Sequence, residues 1–406
     1  MAAVSADDLA RATRALRQAP ASYAAWLEVA ALLEALGHKD DAELAFATIG
    51  EGARVDGRVA LAVACGRHLV ALGSLRGGEL VDEIIETYAG THAPTTRATP
   101  PHREPPDIEL TNAGGTPLAD ARTVITALAP WLQTRQADQV PAAPLLSALP
   151  AAGARALVGV MTAHAFAAGQ TIVVAGAPAD ALYWLAHGTA VVERGQGDKK
   201  TRLGELHSGA FFGEIALVGG TTRTATVTAQ DDVWLLEIPA RAIETAAQKH
   251  PQLAEVLAFH ARARLLANLV RTSELFKALA PADRDALLPK FASELVPAGT
   301  TFIREGAPNE FLWVVVAGTC QVKAGGSMVA ELGAGAAAGE ISLVSGDPAV
   351  ADVIAVEPAV VLKLARRDFD VVAKKHPQLL AAVQALVVAR EKENRALFQD
   401  ATDLIV

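Results

Sequence analysis

Apolar residues recur at helical spacing through the first part of the chain. Ser5 or Asp7 can cap the first helix, Ser22 can cap the second, and Gly37 follows the last apolar position of the second helix. The first helix is amphipathic and contains acidic residues, so we expect it to belong to the fold rather than to a secretory signal. One face of the second helix is apolar: Trp26, Val29, Ala30 and Leu33. We therefore predict that residues 1–90 form a helical domain.

Four residues between positions 22 and 50 match the helical hairpin of a tetratricopeptide repeat. They are its Trp, its turn Gly, its small Ala and its packing Phe: Trp26, Gly37, Ala42 and Phe46. The segment resembles that repeat family, and residues 57–72 and 75–88 extend the stack with weaker matches. A plain helical bundle is the alternative interpretation. Both arrangements favour a surface that binds a protein partner over a catalytic site.

The composition changes between residues 91 and 117. No apolar position recurs there, and prolines stand among Thr, His, Arg and Gly: Pro94, Pro100, Pro101, Pro105, Pro106 and Pro117. This composition predicts an extended linker. Residues 118–139 have a helical pattern again, and we predict a helix that connects the linker to the next domain.

The second half of the chain is an internal repeat. The segment Lys249–Leu253, with the sequence KHPQL, recurs as Lys375–Leu379. Each copy begins with a helix, continues through short strands separated by glycines, and ends with helices. We predict domain A at residues 140–272 and domain B at residues 273–406. The strands predicted in domain A are 171–174, 182–185, 190–193, 224–229 and 233–238.

Composition and charge exclude several classes of function. A chain of 406 residues with 51% hydrophobic and 20% charged residues predicts several globular domains. The net charge of −9 argues against a broad nucleic-acid surface, and no run of about 18 apolar residues predicts a membrane span. Cys65 and Cys320 stand far apart and form no disulfide framework or metal site, so we expect both to be buried in a cytoplasmic protein. No catalytic motif is present, which predicts that the protein is not an enzyme.

Most of the residues that could bind a ligand lie between positions 211 and 229. Gly213 lets the backbone approach a ligand closely, and the N–H groups at the start of the short helical turn that follows would face an anion. Arg223 provides a planar cation for phosphate oxygens. Glu214 offers two acceptor oxygens for a ribose hydroxyl. The alternative is that Glu214 and Arg223 form an ordinary surface ion pair.

The string FGEIAL, an Arg ten positions after Gly213, and the TATV that follows this Arg resemble the phosphate-binding cassette of cyclic-nucleotide-binding domains. The resemblance implies an α+β multidomain fold, in which two β-rolls of jelly-roll type with flanking helices follow the N-terminal helices. It implies cAMP or cGMP as the ligand and no metal or other cofactor; Thr224 is compatible with either nucleotide. The binding residues implied for domain A are Phe212, Gly213, Glu214, Ile215, Ala216, Arg223, Thr224 and Ala225.

The second copy of the cassette differs from the first at the position of the cation. It keeps Gly339 and Glu340, but Ala349 stands ten positions after the glycine, where the first copy has Arg223. No basic residue occurs between positions 339 and 353. A cyclic phosphate would therefore lack a positive partner. We predict that this degenerate site in domain B does not bind cyclic nucleotide in the usual way.

The resemblance implies a regulatory protein in which the helix at residues 252–272 closes over the base and transmits the signal to domain B. Phe259 and His260 are the candidate lid residues, and a core position is the alternative interpretation for Phe259. A scaffold that keeps the fold without the ligand is the alternative. Arg97 and Arg103 are isolated, so the linker lacks the Arg pair of kinase-inhibiting segments. The end of the chain lacks the helix-turn-helix of a transcription factor, so we predict a protein partner and no nucleic acid.

Overall fold

The computed structural model consists of a helical block followed by two β-rolls, which confirms the predicted fold class. The predicted linker and residues 275–279 fall mostly outside the part of the chain that the structure describes, as does the C-terminal segment 377–406. The described residues are 4–90, 95–96, 104–108, 115–133, 139–140, 143–195, 200–273 and 287–375, with single positions and short stretches between 276 and 284 and between 377 and 388.

Five consecutive helices pack against one another at the start of the chain. Ser5 caps the first by a capping box with Asp8, and the Ser22 hydroxyl accepts a hydrogen bond of 3.3 Å from the Ala25 N–H at the start of the second. Both caps confirm the sequence prediction. The helices are α1 (Ala6–Gln18), α2 (Tyr23–Ala35), α3 (Lys39–Val55), α4 (Val59–Ala71) and α5 (Leu75–Tyr88).

The residues at the tetratricopeptide positions hold the first hairpin together. Trp26, Ala42 and Phe46 are fully buried between α2 and α3 and their neighbours. Gly37 forms the turn with a φ of +85°, a conformation that glycine adopts without steric cost. The helical hairpin predicted from these four residues is therefore present.

A sixth helix, α6 (Pro117–Gln133), belongs to the helical block. The Arg122 guanidinium donates hydrogen bonds of 2.6 and 2.9 Å to the two carboxylate oxygens of Asp41 on α3. Leu132 is fully buried. The sequence predicted a connecting helix here, but the apolar face of α6 packs on α1 and α3 instead. A helix with one apolar stripe is stable where it can bury that stripe, and the block provides the surface.

Domain A contains two four-stranded sheets that enclose one apolar core. Their strand orders are β3-β10-β5-β8 and β4-β9-β6-β7. The strands are β3 (Thr162–Phe166), β4 (Thr171–Val173), β5 (Ala181–His187), β6 (Thr189–Arg194), β7 (Thr201–His207), β8 (Phe211–Phe212), β9 (Thr226–Ala229) and β10 (Val233–Pro239). The flanking helices are α7 (Pro144–Ser147), α8 (Ala151–Gly159), α9 (Glu214–Gly219), α10 (Ala240–Lys249) and α11 (Pro251–Thr272). Ahead of them, β1 (Thr95–Thr96) pairs with β2 (Gln139–Val140).

Domain B repeats this topology, which confirms the internal repeat. Its strand orders, β11-β18-β13-β16 and β12-β17-β14-β15, correspond one to one with those of domain A. The strands are β11 (Ala292–Val296), β12 (Thr301–Ile303), β13 (Phe311–Ala317), β14 (Cys320–Ala324), β15 (Ser327–Leu332), β16 (Ala337–Ala338), β17 (Asp352–Ala355) and β18 (Ala359–Ala365). The described helices are α12 (Glu340–Ser345) and α13 (Arg366–Lys375), after a 3₁₀ turn at Leu288–Lys290.

The five strands predicted in domain A are present within a few residues, whereas β3, β7 and β8 were missed. All three missed strands lie at the edge of their sheet. The strand β8 has only two residues, and β3 and β7 bury few side chains, since their sequences TAHAF and TRLGELH contain little apolar alternation. Edge strands are held by backbone pairing to one neighbour, so their side chains leave a weak hydrophobic pattern.

The helical block and domain A share one apolar core. Phe46 and His68 of the block lie 4.5 Å apart between ring centroids, and each lies 5.4 Å from the Trp234 ring on β10. Arg67 on α4 donates a hydrogen bond of 2.9 Å to the Met161 carbonyl of domain A. The buried cluster runs without a break from α1 to β10. We therefore expect these two parts to unfold together.

Replacing Trp234 with alanine tests this shared core. We expect Trp234→Ala to lower the free energy of unfolding by about 1–3 kcal/mol, because the half-buried indole contacts both parts. Leu75→Ala is the control, since Leu75 is 87% exposed and its loss should change stability by about 0.5 kcal/mol or less. Denaturant unfolding should give one transition for the block and domain A; two separate transitions with only one shifted would contradict a common core.

Candidate functional site

The candidate site begins where β8 ends and the short helix α9 starts. Gly213 is the residue before α9 and has a φ of +94°. A side chain at this position would place its Cβ 2.5 Å from Nη1 of Arg223 and 3.2 Å from the Ala181 carbonyl oxygen. Both the backbone conformation and the space therefore require glycine.

Arg223 lies beneath this turn and is 4% exposed. Its Nη2 donates hydrogen bonds of 2.7 Å to the Ala181 carbonyl and 3.2 Å to the Asp180 carboxylate, and its Nη1 donates one of 3.4 Å to the Gly213 carbonyl. The guanidinium also lies 5.4 Å from the centroid of the Tyr183 ring. These contacts fix a buried positive charge in one orientation.

Glu214 is the first residue of α9 and is 1% exposed. Arg264 on α11 donates from Nη1 to both carboxylate oxygens, at 3.0 and 3.1 Å. Burial raises the pKa of Glu214, and the positive charge of Arg264 opposes this shift. The proposed surface ion pair between Glu214 and Arg223 is therefore wrong, because both side chains are buried and each has other partners.

These side chains line a cavity of about 210 Å³ in domain A. One wall comes from the strands β4, β6, β7 and β9, and the opposite side is covered by Arg264, Ala267 and Asn268 of α11. All eight residues predicted for the site line this cavity: Phe212, Gly213, Glu214, Ile215, Ala216, Arg223, Thr224 and Ala225. The structure thus brings together a buried cation, a buried carboxylate and an apolar wall.

The predicted lid helix covers the cavity, but with other residues than expected. Phe259 is 70% exposed, and His260 packs on the Phe211 ring at 4.7 Å between centroids. Neither lines the cavity, so their prediction as lid residues is wrong. Arg264, Ala267 and Asn268 face it instead, because the next turns of α11 lie above α9.

Sequence reasoning also missed the partner of Glu214. Arg264 lies 50 residues from it, and no local motif connects the two. The repeat carried a usable signal, because Arg264 has a counterpart at Arg390, displaced by the same 126 residues that separate Glu214 from Glu340. Arg390 lies outside the described residues.

Domain B lacks the cation but keeps the surrounding geometry. Gly339 has a φ of +80°, Glu340 is 1% exposed, and Ala349 is 6% exposed. All three line one cavity, and no basic side chain occurs among its described lining residues. The site predicted to be degenerate is therefore a formed pocket whose described lining residues include no positive charge.

The comparison with protein families agrees with this geometry. A family model described as cyclic nucleotide-binding domain matches residues 163–250 and 294–376, one stretch in each half of the repeat. The chain carries two cyclic nucleotide-binding domains. The ligands of such domains are cAMP and cGMP.

Known proteins resemble this chain over these domains. A cyclic nucleotide-gated potassium channel of Mesorhizobium japonicum is 33% identical over 111 residues, which are 27% of this chain and 31% of the channel. A cAMP-dependent protein kinase regulatory subunit of Debaryomyces hansenii is 24% identical over 213 residues, which are 50% of this chain and 43% of the subunit. The chain thus spans less than half the length of either relative.

Among solved structures, the regulatory domain of Toxoplasma gondii PKA with cAMP is 20% identical to this chain. The match has a TM-score of 0.29 and covers 61% of this chain and 92% of that domain.

The two cyclic nucleotide-binding domains contact each other through the cassette of domain A. Ile215 of α9 belongs to the same apolar cluster as Leu312 and Val360 of domain B. A Cβ on Gly219 would lie 2.7 Å from the Val360 side chain, so the end of α9 touches β18 closely. The short helix α9 is therefore in direct contact with β18 of domain B.

A membrane-spanning helix and a metal site are both absent from the described part of the chain. None of its helices combines the length and the apolar character that crossing a bilayer requires. Its His, Cys, Asp and Glu side chains form no group of three or more that could hold a metal ion. Cys65 and Cys320 are both buried and free, as predicted.

Proposed function

We propose that this chain is a regulatory protein that binds cAMP or cGMP in domain A. The observation that carries the proposal is that one cavity is lined by both the buried cation of Arg223 and the buried carboxylate of Glu214. The cyclic phosphate would contact Arg223 and the first N–H groups of α9. The ribose 2′-hydroxyl would donate to Glu214, and the base would lie on the apolar strand wall beneath Ala267 and Asn268.

The contacts of Glu214 suggest how occupancy would be transmitted. A ribose hydroxyl that donates to Glu214 competes for the oxygens that Arg264 now contacts. Arg264 is on α11, and Arg262 on the same helix donates a hydrogen bond of 3.0 Å to the Phe291 carbonyl of domain B. Ligand binding would thereby change the position of α11 relative to domain B. We further propose that the helical block, which shares a core with domain A, presents the signal to a protein partner.

Calorimetric titration of the full chain with cAMP and with cGMP tests the proposed function. We expect one site per chain, because domain B has Ala349 in place of the cation. Two equal sites would contradict the assignment of domain B. Absence of heat and of any thermal stabilisation with both nucleotides would favour the ligand-independent scaffold instead.

Replacing Arg264 tests the transmission step. In Arg264→Gln the ligand should still bind, with affinity lowered by about tenfold or less, since Gln supplies one neutral donor to Glu214. The change in hydrogen exchange that ligand causes in residues 251–272 and 287–296 should be lost. The control is Arg241→Gln, because Arg241 is exposed on α10 away from the cavity. An unchanged exchange response in Arg264→Gln would contradict the role of this ion pair.

A further inference from the structure

A groove of about 420 Å³ lies along the seam between the helical block and domain A. One side of this seam groove comes from α2 and α4 of the block, and the other side comes from β3 and β10 of domain A. Small side chains keep it open, because Ala31 and Ala35 of α2 face Ala163 and Ala165 of β3. The seam groove shares no described lining residue with the nucleotide cavity. It is therefore a separate site.

The strand β3 presents its free edge to the seam groove. It is an outer strand of its sheet, and among the described strands it pairs with β10 alone. Successive side chains of a strand point to opposite faces, yet the three consecutive residues Ala163, His164 and Ala165 line one groove. A groove can touch all three only along the edge of the strand. Alternate backbone N–H and C=O groups of β3 therefore face the groove, and no described residue forms a hydrogen bond with them.

Both sides of the seam groove are fixed in place. Arg67 on α4 donates a hydrogen bond of 2.9 Å to the carbonyl of Met161, the residue directly before β3. The Trp234 ring packs on the rings of Phe46 and His68, each at 5.4 Å between centroids. A ligand that enters the groove would meet walls that are already ordered, so it would lose little affinity to reorganisation of the protein.

The charges at the seam groove favour a cation. Glu34 lines the groove with a side chain that is 35% exposed, and its Oε2 lies 2.8 Å from Nε2 of His68. Glu28 is exposed three residues before Ala31, which places it on the same face of α2. Lys and Arg are absent from the described lining residues. The half-buried Trp234 adds an aromatic face, which attracts ammonium and guanidinium groups.

We propose that the seam groove binds an extended, basic peptide segment of a partner protein, which adds a strand to the free edge of β3. The peptide backbone pairs with the outward N–H and C=O groups of β3, and a Lys or Arg side chain lies between Glu34 and Trp234. Peptides that extend a sheet in this way gain affinity from backbone hydrogen bonds and specificity from alternate side chains. Because β3 has five residues, it offers an edge of about 17 Å. The inference rests on the protein partner proposed above and does not depend on cyclic nucleotide binding in domain A.

Selection of a displayed library of random twelve-residue peptides on the full chain tests this proposal. The selected peptides should carry Lys or Arg, and each should slow hydrogen exchange within residues 162–166 by about tenfold or more, because the outward amides of β3 then donate to the peptide. Glu34→Lys should weaken binding of these peptides by about tenfold or more, since it replaces an attracting charge with a repelling one. The control Glu79→Lys makes the same change at an exposed position of α5 outside the groove, and it should leave the affinity unchanged.

Several results would overturn the proposal: no peptide selected on the full chain, selected peptides without a basic residue, or binding that leaves the exchange of residues 162–166 unchanged. Equal affinity of the peptides for the unaltered chain and a folded Glu34→Lys protein would also contradict it. Dimerisation that protects residues 162–166 without peptide would assign the edge to a second copy of the chain instead. The exchange measurement needs no variant, so the test does not depend on the folding of Glu34→Lys. None of these results bears on nucleotide binding, whose failure would appear separately in the titrations with cAMP and cGMP.

Discussion

Replacing Arg223 with alanine should lower the affinity of domain A for cAMP or cGMP by about a hundredfold or more. Two guanidinium groups occur among the described residues lining this cavity, and since Arg264 is paired with Glu214, Arg223 is the one expected to contact a phosphate; charge-assisted hydrogen bonds contribute about 1.5–3 kcal/mol each. Arg223→Lys should recover only part of the loss, because an ammonium does not reproduce the planar, two-sided contact. Calorimetric titration of the three proteins measures the effect.

The fold should survive this change. In domain B, Asn309 contacts the equivalent carbonyls, whereas domain A has Ala179 at the corresponding position, so the double variant Arg223→Ala with Ala179→Asn supplies the missing amide and keeps the test valid if the single variant fails to fold. Arg241→Ala is the matched control, because it removes an exposed arginine of domain A that lies outside the cavity. Retained affinity in a folded Arg223→Ala protein would show that the site is misassigned. Equal losses of nucleotide affinity in Arg223→Ala and Arg241→Ala would indicate a general effect of the net charge.

Replacing Gly213 with alanine should lower both stability and affinity. A φ of +94° costs a residue with a side chain about 1–2 kcal/mol. In addition, the new Cβ would lie 2.5 Å from Nη1 of Arg223, so the guanidinium must move away from its position under the turn. We expect the affinity for cyclic nucleotide to fall by about tenfold or more, as measured by titration.

The variant Gly209→Ala separates the effect of backbone strain from the effect of displacing Arg223. Gly209 has a φ of +91°, nearly the same backbone conformation, but a Cβ there would meet nothing within 4 Å. Its replacement should lower the free energy of unfolding by about 1–2 kcal/mol and leave the affinity unchanged. If both glycine variants lost affinity equally, backbone strain rather than the position of Arg223 would be the cause.

The parts of the site that are contiguous in sequence were predicted well. Residues 212–216 form the end of β8 and the start of α9, and residues 223–225 lie directly before β9, so their spacing in the sequence already indicated that they line one site. The loss of the cation in domain B was visible at Ala349 for the same reason. Each of these predictions depends on local backbone geometry, which a short sequence specifies.

The contacts between residues that are distant in the sequence were not predicted. Arg264 contacts Glu214 from a helix 50 residues later, and Asn309, in the loop before β13, makes with the Gly339 carbonyl the contact that Arg223 makes with the Gly213 carbonyl in domain A. The sequence correctly predicted that this helix lies over the cavity, but not which of its faces is turned towards the cavity. Phe259 and His260 were therefore assigned to the lid incorrectly. Which face of a helix meets a cavity depends on the packing of the whole helix, and one turn of error exchanges the residues involved.

The sequence by itself determined the helical start of this protein, the tandem repeat, the cassette of domain A and the missing charge of domain B, because each is written as a local pattern of spacing and residue type. The tertiary structure decided that α6 joins the helical block, that this block shares a core with domain A, and that α9 touches domain B. It also decided that the pocket of domain B stays open without its arginine. These outcomes follow from which apolar surfaces and polar groups meet once the chain is folded, and no short segment contains that information.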